Sequence, residues 1–391
     1  MDLKELVKKW EGVLNEGDVK IKDKKRLKST ALMLENEYKY LNESGNYSQP
    51  GLNRDAGYAT SGDFQQIAIP MVRRTFPELI AHDVVGVQPL TGPVGLAFAL
   101  RFRAGQTYDS ASNTELGYNT IDSDYSGSSV TSAGELLGSN ATGDIGLGVG
   151  SGTAIKEVNM TIEKAQVEAS TRKLRSRWSL EVAQDIKAMH GLDLEEEMLD
   201  ILSYEITAEI DREIIDQINS VAVSSGWDYN NPSDADGRWQ SEKYRTLYNM
   251  VIRKSNQIAV NTRRGAGNFI IASPIVCAAL ESLSAFTVWP VGTNINSNIT
   301  GVAKVGTLDG RVTVYRDTFA SEDYCTVGYK GPSEYDCGII YLPYIQLLVS
   351  KATFEDSFNP TIGLMSRYAI HNQIFGANLY YQRIRTFNLP Q

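Results

Sequence analysis

The clearest periodic pattern on the chain runs through residues 193–220. Leu199, Leu202, Ile206, Ile210, Ile214 and Ile218 recur at steps of three and four, which places them on one face of a helix. Asp193 stands in front of the pattern as an N-cap, with Glu196 three residues on as in a capping box. Glu195, Glu196 and Glu197 sit where the positive end of the helix dipole favours acids. At ~1.5 Å of rise per residue such a helix is a rod of about 40 Å. Glu205, Glu209, Asp211 and Glu213 lie off the apolar ridge with little base among them, the pattern of a solvated face.

Shorter patterns predict the rest. Residues 96–102 and 155–162 read as strands on either side of a stretch, 104–155, that holds no Lys or Arg and is rich in Gly, Ser, Thr and Asn. So long a loop in a compact domain packs on something else or has a function. The expectation is a long two-stranded projection, and because an isolated hairpin is marginal in water, a neighbouring subunit supports it. Residues 226–239, rich in Trp, Asn, Asp and Gly, read as a turn region. A helix over 241–260 follows, then a short buried strand at NFIIA. Ser273 and Pro274 open another helix as cap and first turn. RVTVYRD, DYCTVGYKG, CGIIYLPY and IQLLVS are strand patterns. Strand, helix and then strands indicate an α+β domain with a central sheet. The stretch 365–391 is expected to return to the domain of the long helix.

The N-terminus differs from all of this. Residues 1–43 hold ten Lys/Arg and nine Asp/Glu, a charge density more than twice that of the rest of the chain. Leu3, Leu6, Val7 and Trp10 follow helical spacing, as do Leu27, Ala31 and Leu34, with Gly12 and Gly17 between them. Two amphipathic helices with little core of their own are expected. They need a partner surface or stay mobile, and their thin apolar faces argue against a part in the main core. A polar Gly/Ser/Asn/Asp segment after Glu43 reads as a linker or arm.

At 391 residues the chain is expected to form two or three structural units. No run of 18 apolar residues indicates a transmembrane helix. The charged start MDLKELVKKWEG lacks the apolar stretch of a signal peptide, so export is not expected. Cys277, Cys325 and Cys337 show no CxxC spacing and read as reduced thiols in a cytoplasmic setting. The net charge of −9 lacks the basic excess of a protein that grips nucleic acid by its phosphates.

Candidate chemistry is sparse. His82, His190 and His371 lie far apart without ligand spacing, so no metal is expected. There is no GxSxG elbow and no HExxH helix. The glycine run near residue 150 lacks the Gly-Lys-Ser/Thr of a phosphate loop. Neither catalysis nor a cofactor is therefore expected. Arg73 and Arg74 read as an intersubunit or interdomain pair. Arg172, Lys173, Arg175 and Arg177 form a basic strand that is either solvated or meets an acidic neighbour, for instance the base-free loop. Trp178 and Trp239 read as core or interface packing.

Three blocks carry a resemblance. PMVRRTFPELIAHDVVGVQPLTGPVGLAFALR (70–101), SLEVAQDIKAMHGLD (179–193) with the following EIDREIIDQIN, and TVGYKGPSEYDCGIIYLPY (326–344) are similar, in this order, to the major capsid proteins of T-even-type, contractile-tailed bacteriophages. The resemblance implies an α+β Hong-Kong-97-type capsid fold: a propeptide-like segment at 1–43, an N-terminal arm at 44–69, and an extended loop at 104–155. It further implies a peripheral domain over 70–103 and 156–220 with its spine helix at 193–220, an axial domain over 221–340, and a return to the peripheral domain over 341–391. The implied function is a shell protein that assembles in the host cytoplasm into hexameric and pentameric capsomers of an icosahedral head around DNA, without specific binding to it. Its implied partners are copies of itself, with portal, scaffold, prohead protease and decoration proteins. A pentameric vertex protein of the same family and a host-encoded cage of the same fold are the alternatives. Leu41, Asn42 and Glu43 fit the Leu/Ile-x-Glu pattern of the family's maturation cleavage. Residues 3–5 and 14–16 fit it too, but 41–43 lie where the composition shifts.

Overall fold

The computed structural model describes residues 3–14, 23–45, 79–104, 158–230, 238–288, 302–334, 336–353, 359–373 and 376–390. Helices α1 (Leu3–Lys9), α2 (Glu11–Leu14) and α3 (Lys24–Gly45) lead the chain. A single turn, α4 (Ala81–Val84), and β1 (Gly86–Val87) precede β2 (Val94–Ala104) and β3 (Val158–Glu168). β4 (Ser170–Arg177) then runs into α5 (Leu180–His190) and α6 (Leu194–Val221). The second half comprises β5 (Val223–Asp228), α7 (Gln240–Thr262), β6 (Phe269–Ala272), α8 (Pro274–Glu281), β7 (Phe286–Val288), β8 (Val302–Leu308), β9 (Val312–Asp317), β10 (Tyr324–Gly328), β11 (Ile339–Thr353), β12 (Pro360–Asn372) and β13 (Tyr381–Phe387).

These strands form three sheets: four strands in the order β1-β11-β12-β4, seven in the order β5-β13-β10-β6-β9-β8-β7, and the pair β2-β3 by itself. The architecture is mixed α+β. β6 and β10, at the middle of the larger sheet, are buried along their whole length. That is why their sequences read as continuous apolar runs rather than alternating ones.

The long helix α6 is the one predicted. Its cap is Asp193, whose carboxylate accepts the amide N–H of Glu195 at 3.0 Å. All six ridge residues are buried. α6 packs on β4 and β12 of the smaller sheet and on β13 of the larger one, so one apolar stripe joins the two sheets into a single core. That core holds Ile206, Ile210, Ile214 and Ile218 of α6, Leu247, Val251 and Ile258 of α7, Val327 of β10, Ile384 of β13 and Leu364 of β12. Ser179 caps α5 from the N-terminal side, and Gly191 at φ +69° ends it in the left-handed conformation that favours glycine. Gly86 is needed for another reason: a Cβ there would lie 2.2 Å from the Glu334 carbonyl oxygen and 2.4 Å from Cys337 Sγ.

Four expectations change. First, the N-terminal segment does enter the main core: Trp10, Leu14, Ala31, Met33 and Leu34 are buried within it, because α1 packs on α3 and α3 on β11. The partner surface these thin faces need is the chain's own sheet. Second, the turn region at 226–239 begins with a strand. β5 pairs in parallel with β13 over 223–228 at the sheet's edge, and its Ser/Gly/Trp composition carries no apolar alternation because none of its residues is buried. Third, CGIIYLPY and IQLLVS fall in one strand, β11, irregular in register between Pro343 and Leu348. Fourth, the final stretch divides. β12 joins the four-stranded sheet, whereas β13 inserts between β10 and β5 of the seven-stranded sheet, so 341–391 does not return as one piece to the unit of the long helix.

Candidate assembly surface

β4 is an edge strand of the four-stranded sheet, and its alternation separates two functions. Arg172, Leu174 and Ser176 turn inward and are half-buried, while Lys173, Arg175 and Arg177 are exposed. Arg172 donates to Glu209 at 2.8 Å and to Glu213 at 2.7 Å, both on α6, and also hydrogen-bonds the Tyr368 hydroxyl. Burial alone would lower the Arg172 pKa, but Glu213, Tyr368 and Glu209 together hold it above its ordinary value. The acids read as a solvated face are therefore partly engaged. Asp211 is engaged too: it accepts the Ile80 N–H at 3.1 Å, and burial pushes its pKa up to about 7. Lys173 and Arg175 form no ion pair among the described residues and point away from α6.

α6 is tied to the seven-stranded sheet by a second arginine. Arg212 donates to the fully buried Asp317 at 2.5 Å and pairs with Asp216 at 3.0 Å. Tyr324 donates its hydroxyl to the same Asp317 at 2.6 Å, and the Phe319 N–H also reaches it. Arg212 is a lone base in an acidic stretch of sequence, the one signal that could have marked it.

Besides the outer face of β4, two surfaces are left uncovered among the described residues. β2 and β3 pair antiparallel over eleven positions, as predicted, but outside both larger sheets. Val94, Leu96, Val158 and Met160 on this hairpin are each about half exposed. α5 buries no residue at all, and Leu180, Val182 and Met189 lie open on it, with Leu192, Ile201 and Tyr204 beyond. Val94 and Leu96 lie at one end of the ribbon and Val158 and Met160 at the other, whereas the open residues of α5 share one short helix, and contiguous apolar surface marks an interaction site more often than scattered side chains do.

Helix α3 is held by polar contacts at its start and its middle. Arg26 pairs with Asp83 on α4, and Lys25 reaches the Pro332 carbonyl. Asn36 donates to the carbonyls of Leu90 and Tyr344 at 2.8 and 3.3 Å. Burial works to raise the Glu35 pKa, but Lys9 at 2.7 Å and the Trp10 indole N–H at 3.0 Å outweigh it and hold the carboxyl below the usual range. Glu37 is different. It is fully buried, neither carboxylate oxygen has a hydrogen-bond partner among the described residues, and burial pushes its pKa up to about 8. Leu41, Asn42 and Glu43 occupy the last turns of α3. Arg73, Arg74, most of the 44–69 arm and residues 105–157 of the loop region lie outside the described residues.

No group of three His, Cys, Asp or Glu among the described residues could hold a metal ion. The three cysteines are buried and free, and burial raises each thiol, Cys277 and Cys337 to about 12. Trp178 is half-buried against the core, whereas Trp239 is 79% exposed and so does not belong to the chain's own core. No helix of the described residues is long and apolar enough to cross a membrane.

Among the described residues, polar groups brace helices against sheets, and a hairpin, a strand face and a helix are uncovered. The sequence profile of the family described as "Major capsid protein Gp23" matches residues 61–148 and 130–386. The chain belongs to this family. It is a major capsid protein, a structural component of an icosahedral phage head and not an enzyme. The major capsid protein of Salmonella phage ViI is 32% identical over 94% of this chain and 89% of that protein. The capsid vertex protein of Enterobacteria phage T4 is 28% identical over only 56% of this chain and 54% of that protein. The solved structure titled "The capsid of Myoviridae Phage XM1" covers 79% of this chain and 92% of that chain at 12% identity and a TM-score of 0.45, a likeness that adds nothing to the sequence match.

Proposed function

We propose that copies of this chain close into hexameric and pentameric capsomers of a Hong-Kong-97-type shell around DNA, with the β2–β3 hairpin and the 44–69 arm reaching over neighbouring copies. The observation that carries this reading is the hairpin: two paired strands outside both larger sheets, with apolar side chains half exposed. Such a ribbon is marginal in water until another surface covers it. In a head-to-tail ring that surface belongs to the next copy, and the contact closes by rotation. The open face of α5 and the basic outer face of β4 are the receiving surfaces in this reading, with Lys173 and Arg175 opposite the base-free loop that follows β2. Arg172 takes no part, since it is committed to α6. Each contact is modest, and their number makes the shell stable. The units built on the long helix and on the seven-stranded sheet take the peripheral and axial places of that fold. Residues 1–43 act as a propeptide cut after Glu43, and portal, scaffold, prohead protease and decoration proteins are the further partners. The breadth of the major-capsid match favours the shell subunit over a vertex protein.

The test separates folding from assembly. Met189→Glu, and Lys173→Glu combined with Arg175→Glu, should leave the circular dichroism and Tm of the isolated chain unchanged. Both variants should fail to sediment as particles. Normal yields of normal-sized particles from both would overturn the assigned surfaces.

A further inference from the structure

The chain carries a net charge of −9, yet one helix departs from that balance. Between Gln240 and Arg264 stand Lys243, Arg245, Arg253, Lys254, Arg263 and Arg264, against Glu242 alone. α7 buries Tyr244, Leu247, Val251, Ser255, Ile258 and Thr262. Arg245, Asn249, Arg253 and Gln257, spaced by four, are exposed on its outer side. Some of the bases are already engaged: Lys243 lies 4.2 Å from the centre of the Tyr229 ring, and Arg264 pairs with Asp336 at 2.7 Å. Arg253 and Lys254 have no ion-pair or hydrogen-bond partner among the described residues.

These two cations lie on a surface groove of ≈ 510 Å³ beside Trp227 of β5. Thr246, Asn249 and Gln257 complete its polar wall, and no carboxylate lines it. Two cations lining one groove with no carboxylate in it make a positive local potential, so an anion from outside the chain is the natural complement. Guanidinium, ammonium and carboxamide groups are donors that proteins use toward phosphate oxygens, whereas the Thr246 hydroxyl is already spent on the Lys243 carbonyl at 2.6 Å. From Arg245 to Arg253 the outer row spans about 12 Å. A row of that length suits a line of phosphates better than a single carboxylate, since one DNA strand presents a charge roughly every 3.4 Å of helix axis.

We propose that the groove between α7 and β5 is a sequence-independent contact for the phosphate backbone of double-stranded DNA, made chiefly by Arg253 and Lys254 with Asn249 and Gln257 beside them. This rests on the reading of the chain as a DNA-enclosing shell. Two or three cations per copy make a weak contact, which holds DNA against a wall without trapping it. Neutralising two to three phosphates predicts a roughly ten- to fortyfold loss of affinity between about 50 and about 200 mM salt.

The experiment uses unassembled full-length chain and a fluorescein-labelled duplex of about 20 base pairs, read by anisotropy at both salt concentrations. Arg253→Gln with Lys254→Gln should weaken binding at least about tenfold and lower the salt slope by about two. The double reversal Lys173→Glu with Arg175→Glu on β4 should leave duplex binding unchanged. Equal binding by the α7 variant and the unaltered chain would overturn the assignment, as would loss of binding in the β4 variant alone. Displacement of the duplex by a synthetic 104–155 peptide at lower concentration than by unlabelled duplex would also overturn it and identify a protein segment as the occupant. Electron micrographs of the same unaltered preparation after assembly judge the shell reading separately. Its failure appears as absent particles, and failure of the groove as normal particles with unaltered duplex binding in the α7 variant.

Discussion

Arg172 on β4 donates to Glu213 on α6 at 2.7 Å and to Glu209, one turn away, at 2.8 Å. One edge-strand side chain thereby fastens the long helix to the smaller sheet. Arg172→Ala leaves two carboxylates facing each other one helical turn apart, with Tyr368 short of a partner. The expected loss is about 1–3 kcal/mol in denaturant unfolding of the isolated chain. Arg175→Ala, one pleat further on the opposite face, should change stability by less than about 0.5 kcal/mol.

Glu37 makes the docking of the N-terminal helix depend on pH. Its pKa rises from 4.5 to about 8 on burial, so between those values the folded chain holds a proton that the unfolded chain has released. Stability from this group is full below pH 4.5 and declines as pH rises toward 8. Glu37→Gln should raise Tm at pH 8 by an amount worth on the order of a few kcal/mol and flatten the pH dependence over that window. Tm scans of both proteins from pH 5 to pH 8 measure it, and parallel curves would show that Glu37 is not ionised at a cost.

Glu37 also shows where the sequence was readable and where it was not. The α6 ridge was legible because six apolar residues at helical spacing have few alternatives. The β2–β3 pairing was legible because two strand patterns flank a stretch that cannot form a core. The burial of α3 was not, because its charge density outweighs a few apolar positions until β11 is known to lie against it. β5 was hidden because parallel pairing with a strand some 160 residues away leaves no local signal. Among the candidate site residues, the four basic positions of β4 were found as a cluster, but their division into a bracing Arg172 and outward Lys173 and Arg175 needed the inward–outward alternation of a real strand.

Ile210→Asp tests the core that joins the two sheets. Ile210 is fully buried in the middle of α6. An unpaired carboxylate there costs several kcal/mol. Insoluble or unfolded protein is expected, judged by soluble yield and circular dichroism against Ile201→Asp, at an exposed position of the same helix.

Cleavage after Glu43 would cut the last turns of α3. A protease needs extended backbone, so that end of the helix must first unwind. Intact-mass measurement on capsid protein from DNA-filled virions should find a species beginning at Ser44. A full-length 43.2 kDa chain there would leave α1–α3 as a permanent part of the shell.

In the proposed shell, copies of this chain close into a container through the uncovered hairpin, strand face and helix. Cryo-electron microscopy of the purified full-length protein under assembly conditions tests it most directly. Closed shells of hexameric and pentameric capsomers are predicted, with the β2–β3 hairpin lying across an adjacent copy. A population that stays monomeric, or shells in which Val94, Leu96, Val158 and Met160 face solvent, would contradict it.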